Sequence, residues 1–139
     1  MNRYLKGRAA SLFAALVLAS CASAPRAPEQ PESIEERAVA RWNHLIAGEF
    51  EQAYSYLSPG YRTSVSLDTY RESLSKRKLD WTGARFIGSE CDDARCQVRI
   101  LLDYRVVGAV PGVRTYTGKS ISQENWVLVD ESWWHVPSK

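Results

Sequence analysis

The spacing of apolar residues changes near residue 79, and this change restricts the fold more than any other feature of the chain. Before it, the apolar residues recur three or four positions apart, which predicts three amphipathic helices over residues 34–47, 49–57 and 67–77. After it, the period becomes two, which predicts strands over residues 80–91, 96–107, 113–129 and 132–138. Helices followed by closely connected strands predict an α+β domain, with three N-terminal helices packed on a curved four-stranded antiparallel sheet.

Polar residues and glycines mark the ends of the predicted helices. Ser33 and Glu36 have the spacing of a capping box, and Gly48 suits the end of that first helix. Ser58-Pro59-Gly60 is expected to end the second helix, because proline and glycine interrupt regular structure. Ser66 is expected to cap the third. Residues 33–139 are enough for one domain and too few for two.

The start of the chain has the features of a secretory signal. Residues 1–20 carry a basic head, then a short apolar segment that ends in small residues. That segment is shorter than the roughly 20 apolar residues that a membrane-spanning helix needs. Leu18-Ala19-Ser20-Cys21 resembles the bacterial lipobox, which implies that lipid is attached to the Cys21 thiol and that the chain is cut before it. A plain secretory signal that leaves Cys21 free, or an uncleaved anchor, are the alternatives.

Removal of this leader changes the charge and the location that we expect. Three basic residues are lost with it, so the net charge of +2 falls to about −1 and provides no electrostatic basis for binding nucleic acid. Residues 21–32 are rich in proline and predict a semi-rigid spacer between the lipid and the domain. Ala22 follows the cysteine where an aspartate would favour the inner membrane, so the resemblance implies the outer membrane, facing the periplasm.

Cys91 and Cys96 are separated by four residues at a predicted turn between two strands. In an oxidising compartment such a pair predicts a disulfide. A zinc site would need further Cys or His ligands nearby, and the spacing is not that of C-x-x-C redox motifs. Pairing Cys91 with Cys96 aligns the two strands so that Arg85 lies opposite Leu102, on the inner face. A β-bulge would shift this register by one residue and reverse the faces.

An arginine that points inward requires a carboxylate partner. Glu124, on the third predicted strand, is our candidate for that partner. We therefore expect Arg85 and Glu124 to be the polar groups of a pocket walled by Tyr54, Tyr104 and Trp126.

Two longer stretches of sequence resemble the NTF2-like superfamily. "RWNHLIAGEFEQAYSYLSPGYR" (residues 41–62) resembles its opening helices, and "ENWVLVDESWWHV" (residues 124–136) resembles its closing strands. The resemblance covers most of residues 33–139 and rests on packing and turn features. It implies a cone-shaped α+β domain whose mouth holds a small apolar ligand, or which serves as a scaffold. Such domains often pair through the sheet, so both a monomer and a homodimer stay open.

Candidate catalytic chemistry is sparse in this sequence. We find no nucleophile triad, phosphate-binding glycine loop or cluster of metal ligands, and assign no catalytic residue, metal or cofactor. His44 and His135 are the two histidines, and both are more readily explained as packing residues. We therefore expect a non-enzymatic, lipid-anchored envelope protein that binds a small apolar ligand or a protein partner. A periplasmic isomerase or hydrolase, and a structural partner in an envelope assembly, are the alternatives.

Overall fold

The computed structural model describes residues 32–138. Cys21, which we expect to carry lipid, the predicted leader of residues 1–20 and nearly all of the predicted spacer lie outside the described residues. Four helices come first, namely α1 (Ile34–Ala47), α2 (Phe50–Ser55), α3 (Pro59–Ser64) and α4 (Leu67–Ser75). Four strands follow, namely β1 (Asp80–Cys91), β2 (Arg95–Val110), β3 (Val113–Val129) and β4 (Ser132–Val136).

The prediction of three N-terminal helices packed on the sheet is wrong, because there are four short helices. The additional one, α3, begins at the Ser58-Pro59-Gly60 segment that we expected to be only a helix end. Proline is well tolerated at the first position of a helix, where its missing N–H would have no partner. The Ser58 side chain caps the new helix by accepting a hydrogen bond from the Tyr61 backbone N–H. The overall α+β class is confirmed.

Helix α1 begins and ends as its sequence predicts. Ser33 and Glu36 form a reciprocal capping box, and Gly48 ends the helix in the left-handed conformation with φ of 75°. Its buried residues are Ala38, Arg41, Trp42 and Leu45. The buried side of this helix therefore includes a charged residue, and it packs on the inner face of the sheet against β1, β2 and β4.

The sheet is antiparallel with strand order β1-β2-β3-β4. Its inner face carries the buried residues Cys96, Val98, Ile100 and Leu102 of β2, together with Trp126 of β3. The segment after α2 also joins this sheet, since Leu57 forms a parallel bridge with His135 of β4. Two backbone hydrogen bonds secure that bridge: Ser58 N–H donates to the His135 carbonyl, and His135 N–H to that of Tyr56. The backbone of His135 is thus held on both sides.

The predicted disulfide between Cys91 and Cys96 is confirmed, and it lies at the end of the β1–β2 hairpin. The register is as expected at Ser89 and Val98, but a bulge at Ile87 then shifts it by one residue. Beyond the bulge, Arg85 lies opposite Leu101 and its side chain is exposed. The expected inward orientation of Arg85 is therefore wrong, because one inserted residue reverses the faces of the strand.

Between residues 32 and 138, no helix combines the length and the apolar character that crossing a membrane requires.

Candidate functional site

A buried ion pair joins α1 to β3. Arg41 Nη1 donates a hydrogen bond of 2.8 Å to Glu124 Oε1, and the two residues are 6% and 4% exposed. Arg41 lies on the buried side of α1 because it is three residues after Ala38 and four before Leu45. Glu124 lies opposite the buried Val98 on the inner face of the sheet. The charges of the two residues offset each other in the interior.

Two tryptophans complete the hydrogen bonding of the Glu124 carboxylate. Trp42 Nε1 donates to Oε1 at 2.8 Å, and Trp126 Nε1 donates to Oε2 at 3.1 Å. A buried carboxylate is tolerated only when its charge is paired and its oxygens accept hydrogen bonds. Glu124 meets both conditions, so it acts as an acceptor that holds α1 and β3 together.

A cavity of about 340 Å³ lies beside this pair. Residues of α1, α3 and α4 form one side of it, and residues of β1, β3 and β4 form the other. Arg41 and Glu124 line its wall, together with Tyr70 of α4 and His135 of β4. The cavity therefore lies between the helices and the inner face of the sheet, where it meets buried polar groups.

Three buried polar atoms of this wall have no hydrogen-bond partner among the described residues. They are Arg41 Nε, the Tyr70 hydroxyl and His135 Nδ1. The side chains that carry them are all buried, at 6%, 5% and 6% exposure. Arg62 Nε is a further atom of this kind within residues 32–138, but it is not part of the cavity wall. An unpaired buried polar group costs about 1–3 kcal/mol, so residues of this kind are exceptions in folded proteins, and three of them line this cavity.

The cavity environment sets the protonation of Tyr70 and His135. Burial raises the pKa of Tyr70, and the Arg41 guanidinium beside its hydroxyl offsets part of this rise through its positive charge and its N–H groups. Burial, with a smaller contribution from Arg41, holds the pKa of His135 well below 6.5. At neutral pH the cavity therefore presents a phenol that can donate a hydrogen bond and an uncharged imidazole.

Arg77, two residues after the end of α4, also lines the cavity. Its guanidinium stacks over the Trp81 ring, 4.7 Å from the ring centroid. Within residues 32–138 no carboxylate forms a salt bridge with it. Partial removal from water lowers the pKa of Arg77, and the positive charge of Arg41 lowers it further. The two guanidinium groups therefore lie near enough to repel each other.

The five residues of the predicted pocket are distributed over the molecule. Glu124 lines the cavity, and Trp126 is fully buried in the core beneath it. Tyr54 donates a hydrogen bond to the Val65 carbonyl at 2.6 Å. Tyr104 lies with its ring against Gly118, away from the cavity. The predicted pairing of Arg85 with Glu124 is wrong, since Arg85 is exposed and Arg41 occupies its place.

The residues that our sequence reasoning missed are Arg41, Tyr70, Arg77 and His135. The position of Arg41 within the apolar spacing of α1 was an available signal, because an arginine there is buried and needs an acid. The two histidines differ in the structure: His44 Nδ1 lies 2.6 Å from Glu49 Oε2 near the surface, whereas His135 faces the cavity. No cluster of three His, Cys, Asp or Glu residues suited to a metal ion occurs within residues 32–138.

Solved structures with a similar fold include three proteins of low sequence identity. A SEC-C motif containing protein from Rhodopseudomonas palustris has a TM-score of 0.59 at 16% identity, over 76% of each chain. A SEC-C motif containing protein from Psychrobacter arcticus has a TM-score of 0.57 at 12% identity, over 81% of this chain and 63% of that one. A protein described as an NTF2-like transpeptidase from Campylobacter jejuni has a TM-score of 0.54 at 13% identity, over 77% of this chain and 100% of that one.

At these identities the likeness concerns the fold alone, and it supports an NTF2-like fold for this domain. No protein-family model and no curated protein matches the chain. What the domain does must therefore be argued from its own cavity.

Proposed function

We propose that this chain is a lipid-anchored protein of the bacterial cell envelope whose domain binds a small polar molecule without transforming it. One observation carries the binding function: the buried residues Arg41, Tyr70 and His135, each with a polar atom that lacks a partner among the described residues, line the same cavity. A polar guest suits this wall better than an apolar one, because it keeps the accessible polar groups of the cavity hydrogen-bonded. The cavity volume of about 340 Å³ falls within the usual range for small-molecule sites.

The polarity of the cavity wall distinguishes between an apolar ligand, a polar ligand and a protein partner. The NTF2-like resemblance implies an apolar ligand, but this wall contains two guanidinium groups, a carboxylate, two phenols and an imidazole. These groups favour a polar ligand, which repays the loss of water around them with new hydrogen bonds. A protein partner would meet the outside of the domain and leave the three interior atoms as they are.

Binding also suits this site better than catalysis does. A carboxylate acts as a general base when it is free to take a proton from its substrate. Both oxygens of Glu124 already accept hydrogen bonds, and Arg41 neutralises its charge. Glu124 is thus committed to holding the structure together, and His135, whose pKa burial holds well below 6.5, is a weak base.

The anchoring half of the proposal rests on the sequence at the start of the chain. A basic head, a short apolar segment and Leu18-Ala19-Ser20-Cys21 occur in the order of a lipoprotein signal. Several acyl chains on one cysteine, each methylene contributing about 0.8 kcal/mol, would anchor the domain durably. Residues 22–32 would then hold it away from the membrane surface, and Ala22 favours the outer membrane.

Mass spectrometry of the mature protein tests the anchor. The full chain is expressed with its leader in a bacterial host and isolated from the membrane fraction. We expect the mature chain to begin at Cys21 and to carry diacylglycerol and an amide-linked acyl chain, and we expect C21A to lose both. The double variant C91S/C96S is the matched control and should keep the lipid. An unmodified Cys21 in the mature chain would refute anchoring.

Analysis of co-purifying molecules tests the binding function. The native protein is purified from membranes in mild detergent, and small molecules are released by denaturation and identified by mass spectrometry. S122F should abolish their recovery, because Ser122 lines the cavity. S120F is the control, since Ser120 is exposed two residues away on the same strand. Equal recovery from the two variants, or no bound molecule in any preparation, would contradict the proposal.

A further inference from the structure

We infer that the ligand of this cavity is a small molecule with a single carboxylate, held by Arg77 at a wall that also carries Arg41 and Tyr70. This inference rests on the proposed binding function and specifies the chemical class of its ligand. It is supported by the charge of the wall, the kind of hydrogen-bonding groups that it offers, and the aromatic rings beside them.

Among the residues that the structure describes, the wall of the cavity carries an excess of one positive charge. Its charged residues are Arg41, Arg77 and Glu124, and the salt bridge between Arg41 and Glu124 accounts for two of them. Arg77 remains without a carboxylate among the described residues, near enough to Arg41 for the two cations to disfavour each other. One negative charge from a ligand would balance the wall. A monoanion matches this excess better than a phosphate monoester, which carries close to two charges at neutral pH.

The unpartnered groups are mainly hydrogen-bond donors. The Arg41 Nε–H and the Arg77 guanidinium can only donate, and the protonated Tyr70 hydroxyl has a proton to donate. An ionised carboxylate only accepts, and its bonds to a guanidinium are among the stronger ones in proteins. His135 Nδ1 belongs to an uncharged imidazole, so it can bond a polar substituent on the body of the ligand without adding charge.

Aromatic rings provide a surface for the body of such a ligand. Trp42 and Trp81 both line the cavity and contact each other edge to face, with ring centroids 4.8 Å apart. Arg77 is stacked on Trp81, so the cation and the aromatic surface are adjacent. A volume of about 340 Å³ lies near the lower end for ligand sites, which restricts the ligand to a small molecule.

A pair of probes that differ in charge but scarcely in shape tests this inference. The full-length protein in detergent is labelled with ¹⁵N and titrated with benzoate or with its neutral analogue benzamide. We expect saturable shifts of the Arg41 Nε–H and Trp81 indole signals with benzoate, and none with benzamide at the same concentrations. Benzoate should also quench or shift the tryptophan fluorescence with the same apparent affinity.

Two exposed arginines provide the matched variants. R77Q should weaken benzoate binding about tenfold or more, as expected for the loss of one charge-assisted interaction. R71Q should leave it unchanged, because Arg71 is on α4 but pairs with Glu51 outside the cavity. Y70F should weaken it by a smaller factor. Equal effects of R77Q and R71Q would show that general surface charge attracts the probe and would overturn the inference.

Different results would overturn the carboxylate assignment and the binding function. If benzamide binds as well as benzoate, or if the native protein releases a neutral molecule that S122F abolishes, the carboxylate assignment falls and the binding function stands. If neither probe binds and no molecule co-purifies, both fall. A co-purified carboxylate that R77Q removes and R71Q retains supports both.

Discussion

Arg41 Nη1 lies 2.8 Å from Glu124 Oε1, and this buried pair connects the first helix of the domain to the third strand of its sheet. Trp42 and Trp126 donate to the same carboxylate, so three hydrogen bonds converge on one acidic group. The pair therefore has two consequences. It ties α1 to the sheet, and it places Arg41 in the wall of the cavity where the ligand is proposed to bind.

Removing the cation of this pair should destabilise the domain strongly. R41M leaves the Glu124 carboxylate buried without a counter-charge, which we expect to lower the free energy of unfolding by about 3–5 kcal/mol. R41M/E124Q should recover part of that loss, because glutamine is uncharged and its single oxygen still accepts from one of the two tryptophans. Urea unfolding followed by circular dichroism measures both. The surface variant R85M should remain within about 0.5 kcal/mol of the parent. A double variant less stable than R41M would contradict this account.

Stability should fall as the pH drops below about 6.5, the ordinary pKa of histidine. Because burial holds the pKa of folded His135 well below 6.5, the unfolded chain takes up a proton there that the folded chain does not. The free energy of unfolding should decrease by at most about 1.4 kcal/mol per pH unit from this group, until the folded pKa is reached. Urea unfolding at a series of pH values between about 5 and 7.5 measures this slope.

Two histidine variants test whether His135 causes this pH dependence of the free energy of unfolding. H135Q should remove the His135 contribution, whereas H44Q should retain it because His44 lies near the surface beside Glu49. The acidic residues with lowered pKa values, Glu36, Asp92 and Asp103, affect stability only below about pH 5, where carboxylates begin to protonate. A slope that H135Q leaves unchanged would refute the assignment.

Loss of the disulfide should weaken the hairpin without abolishing the fold. The bond between Cys91 and Cys96 closes a short loop, so C91S/C96S should lower the free energy of unfolding by about 2 kcal/mol. Unfolding of the parent protein with and without a reducing agent should show the same difference, and the variant should be insensitive to the reductant. A variant that responds to the reductant as strongly as the parent would contradict the pairing.

The local features of this fold were well predicted because each depends on neighbouring residues. The capping box at Ser33, the end of α1 at Gly48 and the cap at Ser66 are decided by side chains within one helical turn. The disulfide followed from two cysteines at a predicted turn, in a sequence whose start predicts a secretory signal. The helix α3 was missed because Ser58-Pro59-Gly60 can end one helix and also begin another.

The candidate site was predicted only in part, and the reason is the bulge at Ile87. One extra residue in β1 moved Arg85 to the exposed face, although its predicted partner Glu124 is buried on the inner face as expected. The cation that Glu124 requires came instead from α1. Nothing in the spacing of residues along the chain specifies which of two arginines, 83 and 39 residues away, reaches a given carboxylate.

Interactions between residues close in the chain therefore account for the α+β fold class, the helix ends and the disulfide. These features depend on the periodicity of apolar residues, on helix caps and on turn residues. The tertiary structure alone decided the pairing of Arg41 with Glu124 and the gathering of Tyr70, Arg77 and His135 around one cavity. Those residues come from separate helices and strands, and their meeting depends on strand register and on how α1 packs on the sheet. A bulge in one strand changes the register, and a different crossing angle changes how α1 packs on the sheet. The site therefore exists only once the whole domain has folded.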